Sequence, residues 1–216
     1  MEKKYRLTEE TKELYGSTLH RIEALKDFGN VKKGEKGGWI EGEYNLSHYD
    51  NCWVSGEAIL CENAFVSGDV LVCGDAVVFG SAQVFGSATV SDHAEVYGNA
   101  WLCDNVKVCD HAVVCERARV YGNAYICGNA VLRDKAVVCG DAVIKDESDY
   151  LVFKNTWSSG RYFTWTRSNN MWIVGCFYGT GDELIKKAYA DSERSGDCYK
   201  LTVEYVNKLN EKLNLC

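Results

Sequence analysis

Two things are scarce in this 216-residue chain: it has no proline, and it has no excess of positive charge. Proline lacks the backbone N–H that a sheet needs, so its absence suits a chain built of uniform, fully paired strands. Lysine and arginine total 24 against 31 aspartates and glutamates, which gives a net charge of −7. A protein that binds the nucleic-acid backbone needs a basic surface, so the composition argues against that function.

Long apolar runs are missing as well. No stretch approaches the roughly 20 apolar residues of a membrane-spanning helix. The N-terminus, MEKKYRLTEE, lacks the apolar core of a signal peptide. We therefore expect a cytoplasmic protein with no membrane association.

What the chain does contain is a six-residue repeat. Fifteen consecutive hexads run from Gly56 to Lys145 without an inserted or lost residue, and a looser one spans 50–55. The third position is Ala in thirteen hexads (Val70 and Val106 are the exceptions), the fifth is always aliphatic, and the first is Gly, Asp or Glu. Positions three and five share one side of an extended chain. The first two positions favour tight corners.

Each hexad therefore predicts a short strand followed by a corner. A helical period of 3.6 residues does not fit a period of six. Three strands close a triangular coil of eighteen residues, so the fifteen hexads predict five coils. With strands stacked about 4.8 Å apart, the prism is roughly 24 Å tall.

The repeat region from Asp50 to Lys145 resembles the hexapeptide-repeat proteins. The resemblance implies a left-handed parallel β-helix, although general rules favour right-handed crossovers. The flanking segments DFGNVKKGEKGGWIEGEYNLSH and SGRYFT…W.VGCFYGT.DEL look like those of uncharacterised hexapeptide-repeat proteins encoded by phages, prophages and gut bacteria. A phage origin would place the protein in the cytoplasm of a host cell. The resemblance implies no particular activity.

The sequence predicts a mainly β protein with three parts. Residues 1–49 form an N-terminal cap, in which Trp39 and Ile40 plug the first coil. Residues 50–148 form the left-handed β-helix, and residues 149–216 form a small α+β domain. An open end of a β-helix exposes apolar core and unpaired strand edges, so a cap is needed.

In the C-terminal domain we expect three strands and then two helices. Thr180 or Asp182 would cap the first helix. The second helix would present these apolar positions: Leu201, Tyr205, Val206 and Leu209.

Eleven cysteines occur, but there is no C-x-x-C pair. Seven of them fall in the sixth position of a hexad: Cys61, Cys73, Cys103, Cys109, Cys115, Cys127 and Cys139. We interpret them as small, partly buried fillers in a reducing compartment and expect no metal site. A redox or metal role is the alternative.

Two histidines are candidates for catalysis. His93 and His111 are eighteen residues apart, each after an aspartate, so they should stack on one corner in consecutive coils. The best known hexapeptide-repeat enzymes are trimeric acyl- and acetyltransferases, in which a histidine activates an acceptor against a CoA thioester. Their likeness implies acetyl-CoA or acyl-CoA as cofactor in that alternative. A loop that commonly closes their site is absent from this repeat. The other interpretation is that the second position accepts any polar residue.

The fourth position points outward, yet it is often apolar. The apolar residues there are Ile59, Phe65, Leu71, Val77, Trp101, Val113, Tyr125, Val131, Val137 and Val143. Such faces must be covered, either by the C-terminal domain or by partner prisms. A homotrimer is the simplest arrangement.

The C-terminal domain contains the candidate binding residues: Arg161, Tyr162, Thr164, Trp165, Arg167 and Trp172. Arginines beside hydroxyls and flat aromatic rings suit a small anionic, nucleotide-like ligand. The alternative is an amphipathic sheet packed on the prism with its arginines at the rim. The leading hypothesis is a non-catalytic, phage-type binding protein without a cofactor. It would hold such a ligand, or a host partner protein, to counter a host pathway. A CoA-dependent acyl- or acetyltransferase is the alternative function.

Overall fold

The computed structural model describes residues 2–14 and 16–213. The protein is mainly β, and its repeat region forms a left-handed parallel β-helix, as expected. The helix has about six turns, whereas the fifteen hexads predict five. The repeat strands are β4 (Trp53–Val54), β5 (Ile59–Leu60), β6 (Phe65–Val66), β7 (Leu71–Val72), β8 (Val77–Val78), β9 (Gln83–Val84), β10 (Thr89–Val90), β11 (Glu95–Val96), β12 (Trp101–Leu102), β13 (Lys107–Val108), β14 (Val113–Val114), β15 (Arg119–Val120), β16 (Tyr125–Ile126), β17 (Val131–Leu132), β18 (Val137–Val138) and β19 (Val143–Ile144).

These strands form three parallel sheets, one for each side of the prism. Sheet one contains β5, β8, β11, β14 and β17; sheet two contains β4, β7, β10, β13, β16 and β19; sheet three contains β6, β9, β12, β15 and β18. Paired residues are eighteen positions apart, as in the pairing of Val90 with Val108. The third- and fifth-position side chains of all fifteen hexads are at most 1% exposed and fill the interior.

The first position of each hexad forms the corner, where the backbone takes positive φ. Asp104 has a φ of 62° there. Its Oδ2 accepts the backbone N–H of Gly122 in the next coil at 2.9 Å, and Asp110 accepts that of Gly128 at 2.8 Å. An acidic residue in the first position therefore links consecutive coils, which explains why Asp and Glu occur at this position as well as Gly.

At the N-terminal end, β1 (Tyr5–Leu14) and β2 (Ser17–Ala24) form an antiparallel hairpin, and β3 (Lys36–Ile40) follows. Strand β3 pairs antiparallel with β2 and parallel with β5, so it extends sheet one. The first coil of the prism therefore begins before the recognisable repeat.

The expectation that Trp39 plugs the first coil is wrong. Ile40 points into the prism, but Trp39 packs on the outside of sheet one with Leu19 and Ile59. Adjacent residues of a strand face opposite sides, so only one of the two can enter the core. Trp53, which pairs in register with the outward-pointing Leu71, packs against Tyr5 and Phe28 of the cap.

The C-terminal domain has four antiparallel strands rather than three: β20 (Tyr150–Lys154), β21 (Tyr162–Thr166), β22 (Met171–Val174) and β23 (Phe177–Gly179). A 3₁₀ turn, Glu147–Asp149, joins this sheet to the prism. The expected third strand is broken by Gly175, which has a φ of 60° and turns the chain back on itself.

Two helices complete the domain, α1 (Gly181–Asp191) and α2 (Glu193–Leu213), and Thr180 caps α1 as expected. Helix α2 buries Val206 as predicted, but Leu201 is 67% exposed and Tyr205 is 57% exposed. The expectation for these two residues is wrong because α2 packs through the face that carries Tyr199 and Val203. No helix in the described part of the chain is both long and apolar enough to cross a membrane.

The C-terminal domain covers the last coil of the prism. The backbone N–H of Val137 donates to Thr164 Oγ1 at 2.9 Å, and that of Val143 donates to Ser168 Oγ at 2.7 Å. In every earlier coil such an N–H pairs with a carbonyl of the next coil. The side chains of β21 and of the turn after it therefore supply the hydrogen-bond acceptors that a further coil would otherwise supply.

Candidate functional site

The main candidate site is a cleft of about 760 Å³ between the outside of sheet three and the C-terminal domain. Arg117 and Arg119 come from β15 and the corner before it, and Lys135 comes from the next coil. Arg161 enters from the loop that precedes β21. The eighteen-residue period places Arg117 and Lys135 directly above one another, since both occupy the second position of their hexads.

None of these four cations takes part in an ion pair within the described residues. Two carboxylates, Glu116 and Asp134, lie at the adjoining corner. Glu116 is engaged there, because its Oε2 accepts the backbone N–H of Asp134 at 3.0 Å. Because four cations face only these two carboxylates, the cleft is a locally positive surface on a protein with a net charge of −7.

Aromatic rings line the same cleft. Trp101 is 37% exposed and lies in register next to Arg119 on sheet three. Tyr121 and Tyr162 are half-buried, and the Nζ of Lys135 lies 4.5 Å from the ring centroid of Tyr162. The site thus combines guanidinium groups, which bind phosphate or carboxylate in a bidentate manner, with flat surfaces for a ring.

A shallower depression of about 360 Å³ continues the cleft towards the N-terminal coils. It shares Asn99, Trp101 and Arg119 with the main cleft and adds Ser81 and Gln83. The combined surface therefore has a cationic half near the C-terminal domain and a neutral polar half farther from it.

Of the six binding residues expected from the sequence, the structure brings only Arg161 and Tyr162 into the cleft. Trp165 and Trp172 are 2% and 1% exposed and belong to the core beneath the helices. Thr164 is fully buried against the prism through its bond to the N–H of Val137. Neither tryptophan offers a stacking surface to a ligand, because alternate residues of β21 pack on the two helices and on the prism.

Arg167 lies at the opposite end of β21 from Arg161, about 20 Å away along an extended strand. Its Nη1 donates to Ser148 Oγ at 3.1 Å and lies 3.8 Å from Asp149 Oδ1. Arg167 therefore fastens the junction between the prism and the domain and is separate from the cleft.

Sequence reasoning did not identify six polar or aromatic residues of the cleft: Asn99, Trp101, Arg117, Arg119, Tyr121 and Lys135. Their spacing was the feature of the sequence that could have revealed them, because Trp101, Arg119 and Val137 are eighteen residues apart and share one column of sheet three. The sequence does not reveal that the C-terminal domain overhangs this column and not one of the other two faces.

The histidine pair stacks as expected, with ring centroids 5.0 Å apart and ring planes 6° apart. The pair lies on a corner of sheet one, whereas the cleft lies on sheet three. The acid that faces His93 is Asp75 of the preceding coil, whose Oδ2 is 3.6 Å from Nδ1. The neighbouring Asp92 and Asp110 are engaged with backbone N–H groups of the next coil.

The sixth-position cysteines are buried or half-buried, and Cys115, Cys127 and Cys139 are at most 5% exposed. Burial raises the pKa of Cys61 and of Cys103 to about 11, with help from nearby carboxylates. These thiols stay protonated at neutral pH, which disfavours both nucleophilic and metal-ligand roles. Cys216 lies outside the described residues.

One set of potential metal ligands occurs among the described residues. Ligand atoms of Asp92, Cys109 and Asp110 lie within 4.8 Å of one another. Burial raises the pKa of the Cys109 thiol, and Cys109 donates to the hydroxyl of Tyr125 at 3.2 Å. Because both carboxylates also bond to the backbone, we interpret this group as a corner linkage of the coils.

No protein-family model matches this chain, and a search of curated proteins finds no match. The functional interpretation therefore depends on the chemistry of the cleft.

Proposed function

We propose that the protein binds a small anionic, nucleotide-like ligand in the basic cleft and releases it chemically unchanged. The observation that carries the proposal is the convergence of four unpaired cations, Arg117, Arg119, Lys135 and Arg161, on one aromatic-lined cleft. Clustering like charges is unfavourable unless an anion offsets the repulsion. A bound phosphate or carboxylate group supplies that compensation.

The size and lining of the cleft support a small molecule rather than a polymer. A cleft of about 760 Å³ lies within the usual range for small-ligand sites. The cations occupy a short segment of one face, so a long nucleic-acid backbone would meet few of them. Trp101 and Tyr162 provide flat surfaces beside the charges, as a nucleotide with its ring and phosphates requires.

Titration calorimetry with inorganic tripolyphosphate and with ATP tests this proposal. Arg117→Ala should weaken binding of both probes roughly ten- to a hundredfold, because a charge-assisted contact is lost. The matched control is Arg133→Ala, which removes an arginine of sheet one that pairs with Glu147 at 3.3 Å. That variant should bind like the parent, since an exposed ion pair contributes little.

Two results would overturn the proposal. One is the absence of binding by either probe at low ionic strength, and the other is equal binding by the parent and Arg117→Ala. Chromatography of the recovered ATP checks the non-catalytic part, because a protein that only binds should return the nucleotide intact.

The resemblance to hexapeptide-repeat proteins of phages supports a biological setting for this activity. In a host cell, an abundant binding protein would withdraw its ligand from a host pathway. Assembly into a homotrimer would give each particle three such clefts.

A CoA-dependent acyl- or acetyltransferase is the second candidate, and the stacked pair His93 and His111 favours it. The uninterrupted coils favour binding without catalysis, because no loop leaves the described part of the prism to close over the histidines. His93→Ala distinguishes the two functions. Consumption of acetyl-CoA by the parent that is lost in His93→Ala would support the transferase.

A further inference from the structure

The neutral half of the cleft has unused hydrogen-bonding groups, whereas the second-position amides of sheet two are engaged. On sheet two, second-position amides bond to the next coil: Asn105 Nδ2 donates to Asn123 Oδ1 at 3.1 Å, and Asn123 Nδ2 donates to Asp141 Oδ1 at 3.1 Å. On sheet three, the residue above Asn99 is Arg117, which cannot accept a hydrogen bond. The side-chain amide of Asn99 is therefore left open.

The side chains of Gln83 and Ser81 also have unused hydrogen-bonding groups. Within the described residues, no hydrogen bond occupies the side-chain polar groups of Ser81, Gln83 or Asn99. Gln83 pairs in register with Trp101, and Trp101 pairs with Arg119. The exposed ring of Trp101 thus lies between the amide of Gln83 in the coil below and the guanidinium of Arg119 in the coil above.

This order matches the parts of a nucleotide. Phosphates belong beside Arg117, Lys135 and Arg161, and a ring belongs against Trp101. The remaining edge of the ring would then face the amides of Gln83 and Asn99. Carboxamides offer a donor and an acceptor side by side, which is the pattern that pairs with N6 and N7 of adenine.

We propose that Gln83 and Asn99 form a base-reading subsite that selects adenine nucleotides. The inference rests on the proposed function, because it assigns the orientation of the ligand in the same cleft. Lys135 and Ser81 are three coils apart, about 14 Å, so the cleft accommodates an extended ligand along the prism axis.

The test compares ATP, GTP, UTP and inorganic tripolyphosphate by titration calorimetry. ATP should bind more tightly than UTP or GTP by roughly five- to a hundredfold, which is the discrimination of one good bidentate amide contact. Gln83→Ala and Asn99→Ala should reduce that preference, and Gln83→Ala, which lies outside the cationic part of the cleft, should leave the affinity for tripolyphosphate unchanged. Arg117→Ala should weaken all four probes.

Asn129→Ala is the matched control, because Asn129 is an exposed second-position amide on sheet one, away from the cleft. It should leave every affinity unchanged. Equal binding of ATP, GTP and UTP, or an unaltered preference in both amide variants, would overturn the subsite and leave the proposed function standing. Failure of tripolyphosphate and of all the nucleotides to bind would overturn both.

Discussion

At the scale of single residues, the corners show how one position serves two purposes. Glycine satisfies the positive φ without steric cost, while aspartate accepts some strain and gains a bond to the next coil. Asp104 is the clear example, since its φ is 62° and its Oδ2 lies 2.9 Å from the backbone nitrogen of Gly122. The sequence preference for Gly, Asp or Glu at this position follows from these two solutions.

Substitutions of Asp104 should separate the two contributions. Asp104→Asn keeps an acceptor and tolerates positive φ, so we expect a change in unfolding free energy below about 0.5 kcal/mol. Asp104→Ala keeps the strain and loses the bond, so it should cost about 1–2 kcal/mol. Chemical denaturation measures both, and equal stability of the two variants would contradict this account.

At the scale of elements, the junction of β18 with β21 shows how a β-helix is ended. The last coil has backbone N–H groups with no further coil above them, and the hydroxyls of Thr164 and Ser168 accept two of these groups. Thr164 was expected to bind a ligand, whereas its contact is to the backbone of the prism. The same docking holds Arg161 and Tyr162 over the cleft.

Replacing Thr164 by valine tests this element. The side chain keeps its shape, but the N–H of Val137 loses its acceptor in a buried place, which should cost about 1–3 kcal/mol. Thr156→Val is the control, because Thr156 is exposed in a turn of the same domain. Its effect should stay within about 0.5 kcal/mol. Thermal or urea unfolding would contradict the docking role if both variants matched the parent.

At the scale of the whole molecule, many thiols have a raised pKa, and each of them makes stability change with pH in the same direction. The pKa of Cys61 and of Cys103 is about 11, against an ordinary value of 9.0 that applies in the unfolded chain. Between these values the folded protein binds more protons, so its stability is full below about pH 9 and is lost as the pH rises towards 11. The pKa of Lys4, lowered by burial, acts in the opposite direction as a single group.

We therefore expect the free energy of unfolding to fall between about pH 9 and about pH 11 under reducing conditions. The double variant Cys61→Ala, Cys103→Ala should show a shallower decrease. Denaturant titrations at several pH values measure the slope. A slope that is flat or positive in the parent would contradict the prediction.

The outward apolar faces that the chain itself leaves uncovered are the candidate surfaces for its assembly. Among the outward apolar residues, Ile59 is covered by the N-terminal hairpin and Val137 borders the docked domain. Leu71 and Tyr125 are each 39% exposed on sheet two, although Trp53 of the same sheet is covered by aromatic residues of the cap. Sheet two is therefore the face that we expect to pack against partner prisms in a homotrimer.

Light scattering at micromolar concentration should report three chains for the parent. Leu71→Glu or Tyr125→Glu should shift the mass to one chain, because a buried unpaired carboxylate costs several kcal/mol. Leu201→Glu, on the exposed face of α2, should leave the mass unchanged. A monomeric parent would refute the trimer.

The sequence alone determines the β-helix, because a period of six with small and branched residues two apart has one compact solution. It also places the start of α1 at Thr180 or Asp182, since a capping residue is a local signal that needs no distant partner; the structure selects Thr180. Local signals failed at Trp39, Leu201 and Tyr205, where the pattern shows an apolar residue but not the side that its neighbours cover.

Only the tertiary structure decides the site. Arg117, Lys135 and Arg161 are separated along the chain and meet because the C-terminal domain docks over sheet three. The same docking buries Thr164, while the helices bury Trp165 and Trp172. Residues of equal chemistry become ligand-facing or core-forming according to what packs on them, and a repeat with three similar faces does not specify which face the domain will cover.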